Sequence, residues 1–88
     1  SDTHVLDVRR SSEYSRGAID GAINCTHTRL LDRLDEIDTS KKWVVNCHGG
    51  SRSAASCMAL RREGFDVTNL AGGYSGWKAH KEACLPTQ

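Results

Sequence analysis

Apolar residues fall along this chain in short runs separated by polar stretches that glycine punctuates. His4-Val5-Leu6-Asp7-Val8 is a β-branched run closed by charge, which predicts a buried strand. Ser11-Ser12-Glu13-Tyr14 offers a serine cap and an acid for a first turn, predicting a brief helix that Gly17 ends. Gly21 then turns the chain into a small strand, Ala22-Ile23-Asn24. From Thr28, Leu30, Leu31, Leu34 and Ile37 recur three and four apart with Arg and Asp between them, the spacing of one buried α-helical face. A polar connection, Thr39–Lys42, leads into Trp43-Val44-Val45-Asn46-Cys47, the expected central strand. Gly49-Gly50-Ser51 breaks the chain before a helix over Arg52–Glu63, rich in Ala and Leu and capped by Gly64. Phe65–Leu70 reads as a further strand, Gly72-Gly73 as a turn and Tyr74–His80 as a final short helix. Strands alternating with helices predict an α/β domain with a mainly parallel sheet.

Size and charge narrow the function. A chain of 88 residues makes one small domain, burying about 64% of the surface its unfolded form shows. The 38% of hydrophobic residues and 8 glycines together make about 47%, ordinary for a globular domain. With 12 Lys+Arg against 11 Asp+Glu, the net charge of +1 leaves no basic excess for nucleic acid. Apolar stretches such as Trp43–Val45 are far too short to span a bilayer, so no membrane partner is expected. Ser1–Arg10 lacks the basic start and apolar block of a secretory signal, and a cytoplasmic location is expected, unless a signal has already been removed. The chain lacks an initiating Met and enters its first strand by about His4. It is therefore expected to be a single domain over residues 1–88, trimmed from a longer or fused chain.

Cys25, Cys47, Cys57 and Cys84 are 22, 10 and 27 positions apart, without a C-x-x-C pair. That spacing disfavours a metal site or a disulfide scaffold, and neither metal nor organic cofactor is expected. Cys57, within a helix, and Cys25, at a strand end, read as small buried hydrophobes. Cys84 could equally be buried or, like Cys25, act as a resolving thiol for Cys47.

Cys47 differs because of what surrounds it. Ligands in open parallel sheets sit beyond the carboxyl ends of strands, and Cys47 lies at such an end, just before a helix N-terminus. Helix N-termini and neighbouring cations lower a thiol toward the range where it is ionised and nucleophilic. In His48-Gly49-Gly50-Ser51, two glycines are free to take positive φ, so successive N–H groups can converge into an anion nest. Arg52 is a cation in the first turn of a helix, where it opposes the macrodipole unless an anion sits nearby. An anionic substrate is one such anion. Solvent or a carboxylate such as Asp7 is the plainer alternative.

The segment Cys47-His48-Gly49-Gly50-Ser51-Arg52-Ser53 resembles the C-x-x-G-x-R-S loop of single-domain rhodaneses. Three more segments follow the order of that family: Leu6-Asp7-Val8-Arg9 with Glu13-Tyr14, Gly17-Ala18-Ile19-Asp20-Gly21-Ala22-Ile23-Asn24, and Asn69-Leu70-Ala71-Gly72-Gly73-Tyr74-Ser75-Gly76-Trp77. The resemblance implies a rhodanese-like sheet of four to five strands flanked by helices. It also implies a sulfurtransferase in which Cys47 takes sulfane sulfur as a persulfide. The donor would be a small anion, thiosulfate or a low-molecular-weight persulfide, and the acceptor a thiol, cyanide or a protein. His48, Gly49, Gly50, Ser51, Arg52 and Ser53 would form the substrate-binding cradle. The chain departs from the family at Ala18, where a His is usual, at Cys25-Thr26, where a Pro is common, and in lacking the strand and helix that usually precede the D-V-R strand. The last departure fits a domain with a fused partner.

Two other readings compete. A non-catalytic rhodanese-like module for protein binding or regulation would share the fold, although such modules have often lost the cysteine. Cys-loop phosphatases place five residues between Cys and Arg, whereas His48, Gly49, Gly50 and Ser51 make four, a ring narrowed toward a single sulfur atom. For the remaining residues, His48 is expected to face solvent, and Ser51 or Ser53 to cap the helix, with a hydrogen bond to bound sulfur as a further role. Asp7, Arg9 and Glu13 read as one ion-pair group, and Tyr74 and Trp77 as core and rim packing.

Overall fold

The computed structural model describes residues 3–83. Strands β1 (Thr3–Asp7), β2 (Ile23–Asn24), β3 (Lys42–Asn46) and β4 (Asp66–Asn69) form one sheet in the order β2-β1-β3-β4. Every neighbouring pair is parallel. Helices α1 (Ser11–Ser15), α2 (Ser51–Arg62) and α3 (Gly73–Ala83) and a 3-10 helix over Leu30–Glu36 fill the connections. The expected α/β architecture is present, with four strands among the described residues. Cys84 lies outside them.

Register explains where a site can form. Asp7 pairs with both Asn24 and Asn46, so the carboxyl ends of β2, β1 and β3 are level. From β1 the chain passes to β2 on one side and then to β3 on the other. A crevice opens at such a reversal, beyond the strand ends, and Cys47 is the first residue past β3 there.

Leu6, Val8, Cys25, Leu30, Ile37, Trp43, Val45, Cys47, Cys57, Leu60, Phe65 and Val67 make one buried cluster. α2 packs on β3 and β4 and contributes Cys57 and Leu60 to that cluster. The 30–37 segment departs from the α-helical expectation. It is a 3-10 helix broken at Arg33 (φ −123°, ψ 24°), which buries Leu30 and Ile37 but leaves Leu31 59% exposed. Three residues per turn put i and i+3 in line, and the Arg33–Glu36 ion pair at 2.7 Å has that spacing. Asp32 and Asp35, residues that compete for backbone groups, further weaken a regular α-helix.

The Asp7-Val8-Arg9 segment is fixed by a buried ion pair. Arg9 Nε donates to Asp7 Oδ1 and Oδ2, both at 3.0 Å, and Nη2 donates to Oδ2 at 2.7 Å. Arg9 Nη2 also donates to the Gly17 carbonyl at 2.7 Å, and the guanidinium lies 4.2 Å from the Tyr74 ring centroid. Two charges withdrawn from water persist only when so fully bonded. Glu13 is not part of this group, contrary to expectation; it pairs with Arg52.

The start of α3 sits directly on the backbone after β3. Tyr74 N–H donates to the Cys47 carbonyl at 2.7 Å, and Ser75 N–H to the His48 carbonyl at 3.1 Å. Only a glycine fits at Gly73: its φ is +59°, and a Cβ would lie 2.5 Å from the Cys47 oxygen and 2.6 Å from the His48 oxygen. Gly73→Ala is expected to cost about 3 kcal/mol or more of stability, from left-handed strain plus a backbone clash. Gly21→Ala is expected to cost only about 1 kcal/mol, because Gly21 has φ +80° but open space around it. Urea unfolding of the two variants checks the difference.

Candidate active site

Between β3 and α2 the chain runs Cys47-His48-Gly49-Gly50 and then turns into the helix. Gly50 carries the turn with φ +112° as the residue before α2. Both glycines were expected to be free for positive φ; only Gly50 adopts it. Gly50 N–H points inward and donates to Cys47 Sγ at 3.0 Å. The Tyr74 and Ser75 amides hold the Cys47 and His48 carbonyls from behind, which leaves the loop's own N–H groups to converge on the sulfur.

The sulfur is 1% exposed as part of Cys47. Burial alone would push its thiol up. It is outweighed by hydrogen bonds from the Ser53 hydroxyl and from the backbone N–H groups of Ser53, Gly50 and Arg52, and the net shift is downward from the ordinary 9.0. Cys25 and Cys57 are internal controls. Both are buried, neither has such a cradle, and burial raises both thiols.

Ser53 does what the sequence made secondary. It was expected to cap α2, yet neither it nor Ser51 caps the helix; Gly50 precedes α2 without a side-chain cap. Ser53 Oγ instead lies 3.4 Å from Cys47 Sγ, 3.1 Å from the Gly50 carbonyl and within hydrogen-bond distance of Asn69 Oδ1. One hydroxyl proton serves one of these at full strength, and an ionised sulfur is the strongest competitor. Asn69 closes the ring by donating from Nδ2 to the Gly50 carbonyl at 3.2 Å. Sequence reasoning missed Asn69 and the amides of Tyr74 and Ser75; the Gly72-Gly73 pair was the available sign that backbone approaches backbone there.

Arg52 is resolved in favour of a carboxylate, although not Asp7. Its Nη1 and Nη2 donate to Glu13 Oε1 and Oε2 at 2.8 and 3.0 Å. Glu13 also accepts from Arg10 N–H, so α1 and the sulfur loop are tied through one side chain. The His48 and Ser51 side chains are exposed at the rim, Gly49 is exposed and Gly50 is half-buried. His48 faces solvent as expected. Tyr74 and Trp77 stack at 5.7 Å and are both half-buried; neither is core. Cys25 and Cys47 are free thiols in this structure. They follow β2 and β3, which β1 separates in the sheet.

The chain belongs to the rhodanese-like domain family, whose model matches residues 1–80. Thiosulfate sulfurtransferase GlpE of Shewanella oneidensis is 34% identical over 83% of this chain and 73% of its own length. A solved rhodanese-related protein of Thermoplasma volcanium superimposes with a TM-score of 0.85 at 32% identity, over 97% of this chain and 82% of that one. An NAD-dependent persulfide reductase from A. fulgidus matches with a TM-score of 0.75 at 38% identity, over 86% of this chain but 14% of that one. The chain spans 59% of a further relative, YqhL of Bacillus subtilis.

The Glu13–Arg52 pair sets an acid limit. Its hydrogen bond from Arg52, with smaller help from Arg10 N–H, holds the Glu13 carboxyl at about 2 against an ordinary 4.5. A depressed carboxylate contributes stability that is full above 4.5 and is lost as pH falls through about 2. Wild-type unfolding free energy is therefore expected to decline across that window. In Glu13→Gln the decline becomes shallower, as read from urea midpoints at successive pH values.

Proposed function

We propose that this domain is a sulfurtransferase that carries sulfane sulfur on Cys47. The observation behind this reading is a buried sulfur that accepts from Gly50 N–H at 3.0 Å and has the Ser53 hydroxyl 3.4 Å away, donors whose combined effect on the thiol is downward despite its burial. Such a site favours an anion on sulfur, first as thiolate and then as persulfide. With thiosulfate, the thiolate attacks the sulfane sulfur, the bond between the two donor sulfurs breaks, and sulfite leaves with the electron pair. With an organic persulfide, R–S–SH, the same attack expels R–S⁻. A thiol or cyanide then removes the outer sulfur from Cys47 and restores the thiolate. Neither half needs a metal or an external electron carrier.

The roles follow the geometry. Gly50 and the N–H groups of Arg52 and Ser53 hold the charge, and the Ser53 hydroxyl adds a donor that can turn toward the thiolate. His48, Gly49 and Ser51 form the rim that a donor crosses. Arg52 adds positive charge at the mouth while Glu13 fixes its direction. The likeness to GlpE at 34% identity supports the same reaction class.

Intact-mass measurement after exposure to thiosulfate is expected to show a gain of one sulfur on the chain, removed by cyanide. Cys47→Ala is expected to show neither the gain nor turnover above the uncatalysed rate. Equal turnover by wild type and Cys47→Ala overturns the assignment.

A further inference from the structure

The ring of hydrogen bonds behind Cys47 Sγ contains one hydroxyl proton with two places to go. Ser53 is wholly buried, so water does not share that proton. Its Oγ lies 3.1 Å from the Gly50 carbonyl, 3.4 Å from Cys47 Sγ and closest of all to Asn69 Oδ1. A carbonyl oxygen has two lone pairs. Those of Gly50 already accept the Ala54 N–H at 3.0 Å and Asn69 Nδ2 at 3.2 Å. The proton of Ser53 is therefore contested between Asn69 and the sulfur.

The sheet sets Asn69 in place for that contest. It ends β4, in register with Val45 of β3, two residues before Cys47. Because a carbonyl only accepts, the amide nitrogen of Asn69 faces Gly50 and its oxygen faces Ser53. That oxygen also only accepts, and Ser53 serves it only with the hydroxyl turned away from Cys47. Ser53 then presents lone pairs to the sulfur, which suits an S–H and repels a thiolate. Ionisation draws the hydroxyl to the sulfur, since a charged acceptor makes the stronger bond, and takes it from Asn69. In a persulfide the charge lies on the outer sulfur, the inner sulfur is a weak acceptor, and the hydroxyl returns to Asn69.

We infer that Asn69 is a positioning residue which, by competing for the Ser53 hydroxyl, favours the protonated and the sulfur-loaded forms of Cys47 over the bare thiolate. The loaded half of this statement rests on the sulfurtransfer reading above. With thiosulfate the step is Cys47–S⁻ + S–SO₃²⁻ → Cys47–S–S⁻ + SO₃²⁻: the donor S–S bond breaks, a new one forms at Cys47, and sulfite leaves with the electron pair. Asn69 acts only through Ser53, by where the hydroxyl points before and after that step.

The test is a double-mutant cycle in the full chain, with Asn69→Leu, Ser53→Ala and the pair, read as the pH midpoint of Cys47 alkylation by iodoacetamide. The change in midpoint caused by Asn69→Leu is expected to lie lower by about 0.5–1 on the pH scale when Ser53 is present than when it is absent. A merely structural Asn69, one that steadies Gly50, would instead change the midpoint equally in both backgrounds. Asn69→Ala repeats the cycle should the leucine variant fail to fold. No difference between the backgrounds, or one of opposite sign, overturns the inference. Loading is read separately by intact mass at equilibrium in thiosulfate and sulfite mixtures, at a pH where Cys47 is ionised in each protein. Asn69→Leu is expected to lower the loading constant about three- to tenfold, the same shift expressed as an equilibrium. An unchanged constant overturns the loaded half. If wild type takes up no sulfur while the cycle shows the expected difference, Asn69 stands as a control on thiol ionisation, and its effect on loading falls with the sulfurtransfer reading.

Discussion

The structure turns on a division of labour between the two ends of each peptide unit after β3. A loop that aims its N–H groups at a sulfur must send its carbonyls the other way, and buried carbonyls need donors. The first amides of α3 are those donors, reaching the Cys47 and His48 oxygens at 2.7 and 3.1 Å. Gly73 makes the approach possible by having no side chain. The sulfur cradle is thus the visible half of a contact whose other half is a helix start 26 residues further along the chain.

Two ion pairs then anchor the neighbouring loop. Asp7–Arg9 is buried and locks the end of β1 to Gly17 and Tyr74, so the first strand, the end of α1 and α3 share one guanidinium. Glu13–Arg52 is partly exposed and ties α1 to the first turn of α2. The first holds a shape. The second sits at the mouth, where it sets the direction of the one loop cation while leaving its backbone N–H for the sulfur. In this arrangement the repulsion between Arg52 and the helix dipole is offset by Glu13 and by a negative sulfur.

Much of this was legible in the residues. Short apolar runs, cap residues and glycine breaks located the four strands and three α-helices of the described residues to within a few positions. The Leu30–Ile37 segment differs from the α-helical expectation because leucines three and four apart are equally compatible with a kinked 3-10 helix, and the break at Arg33 has no local signature in the residues. Cys47 stood out by position and neighbours. Ser53 was weighted the wrong way because the serine preference for helix caps is a local rule, while Cys47 and Asn69 reach it across the fold. Pairing of Glu13 with Arg52, 39 positions apart, is likewise a tertiary fact that no local pattern carries. Asn46 adds another: fully buried beside Asp7 in register, its side-chain amide has no hydrogen-bond partner among the described residues, and nothing in its sequence context marks it.

The central claim is that donor geometry, not exposure, sets the reactivity of Cys47, and it is tested most directly by comparing three cysteines in one molecule. Rates of alkylation at Cys47, Cys25 and Cys57, resolved by peptide mass spectrometry across pH, should give Cys47 a midpoint below the ordinary thiol value of 9.0. Cys25 and Cys57 should remain unreactive over the same range. A Cys47 midpoint at or above 9.0, or one shared with the other two, would contradict the account.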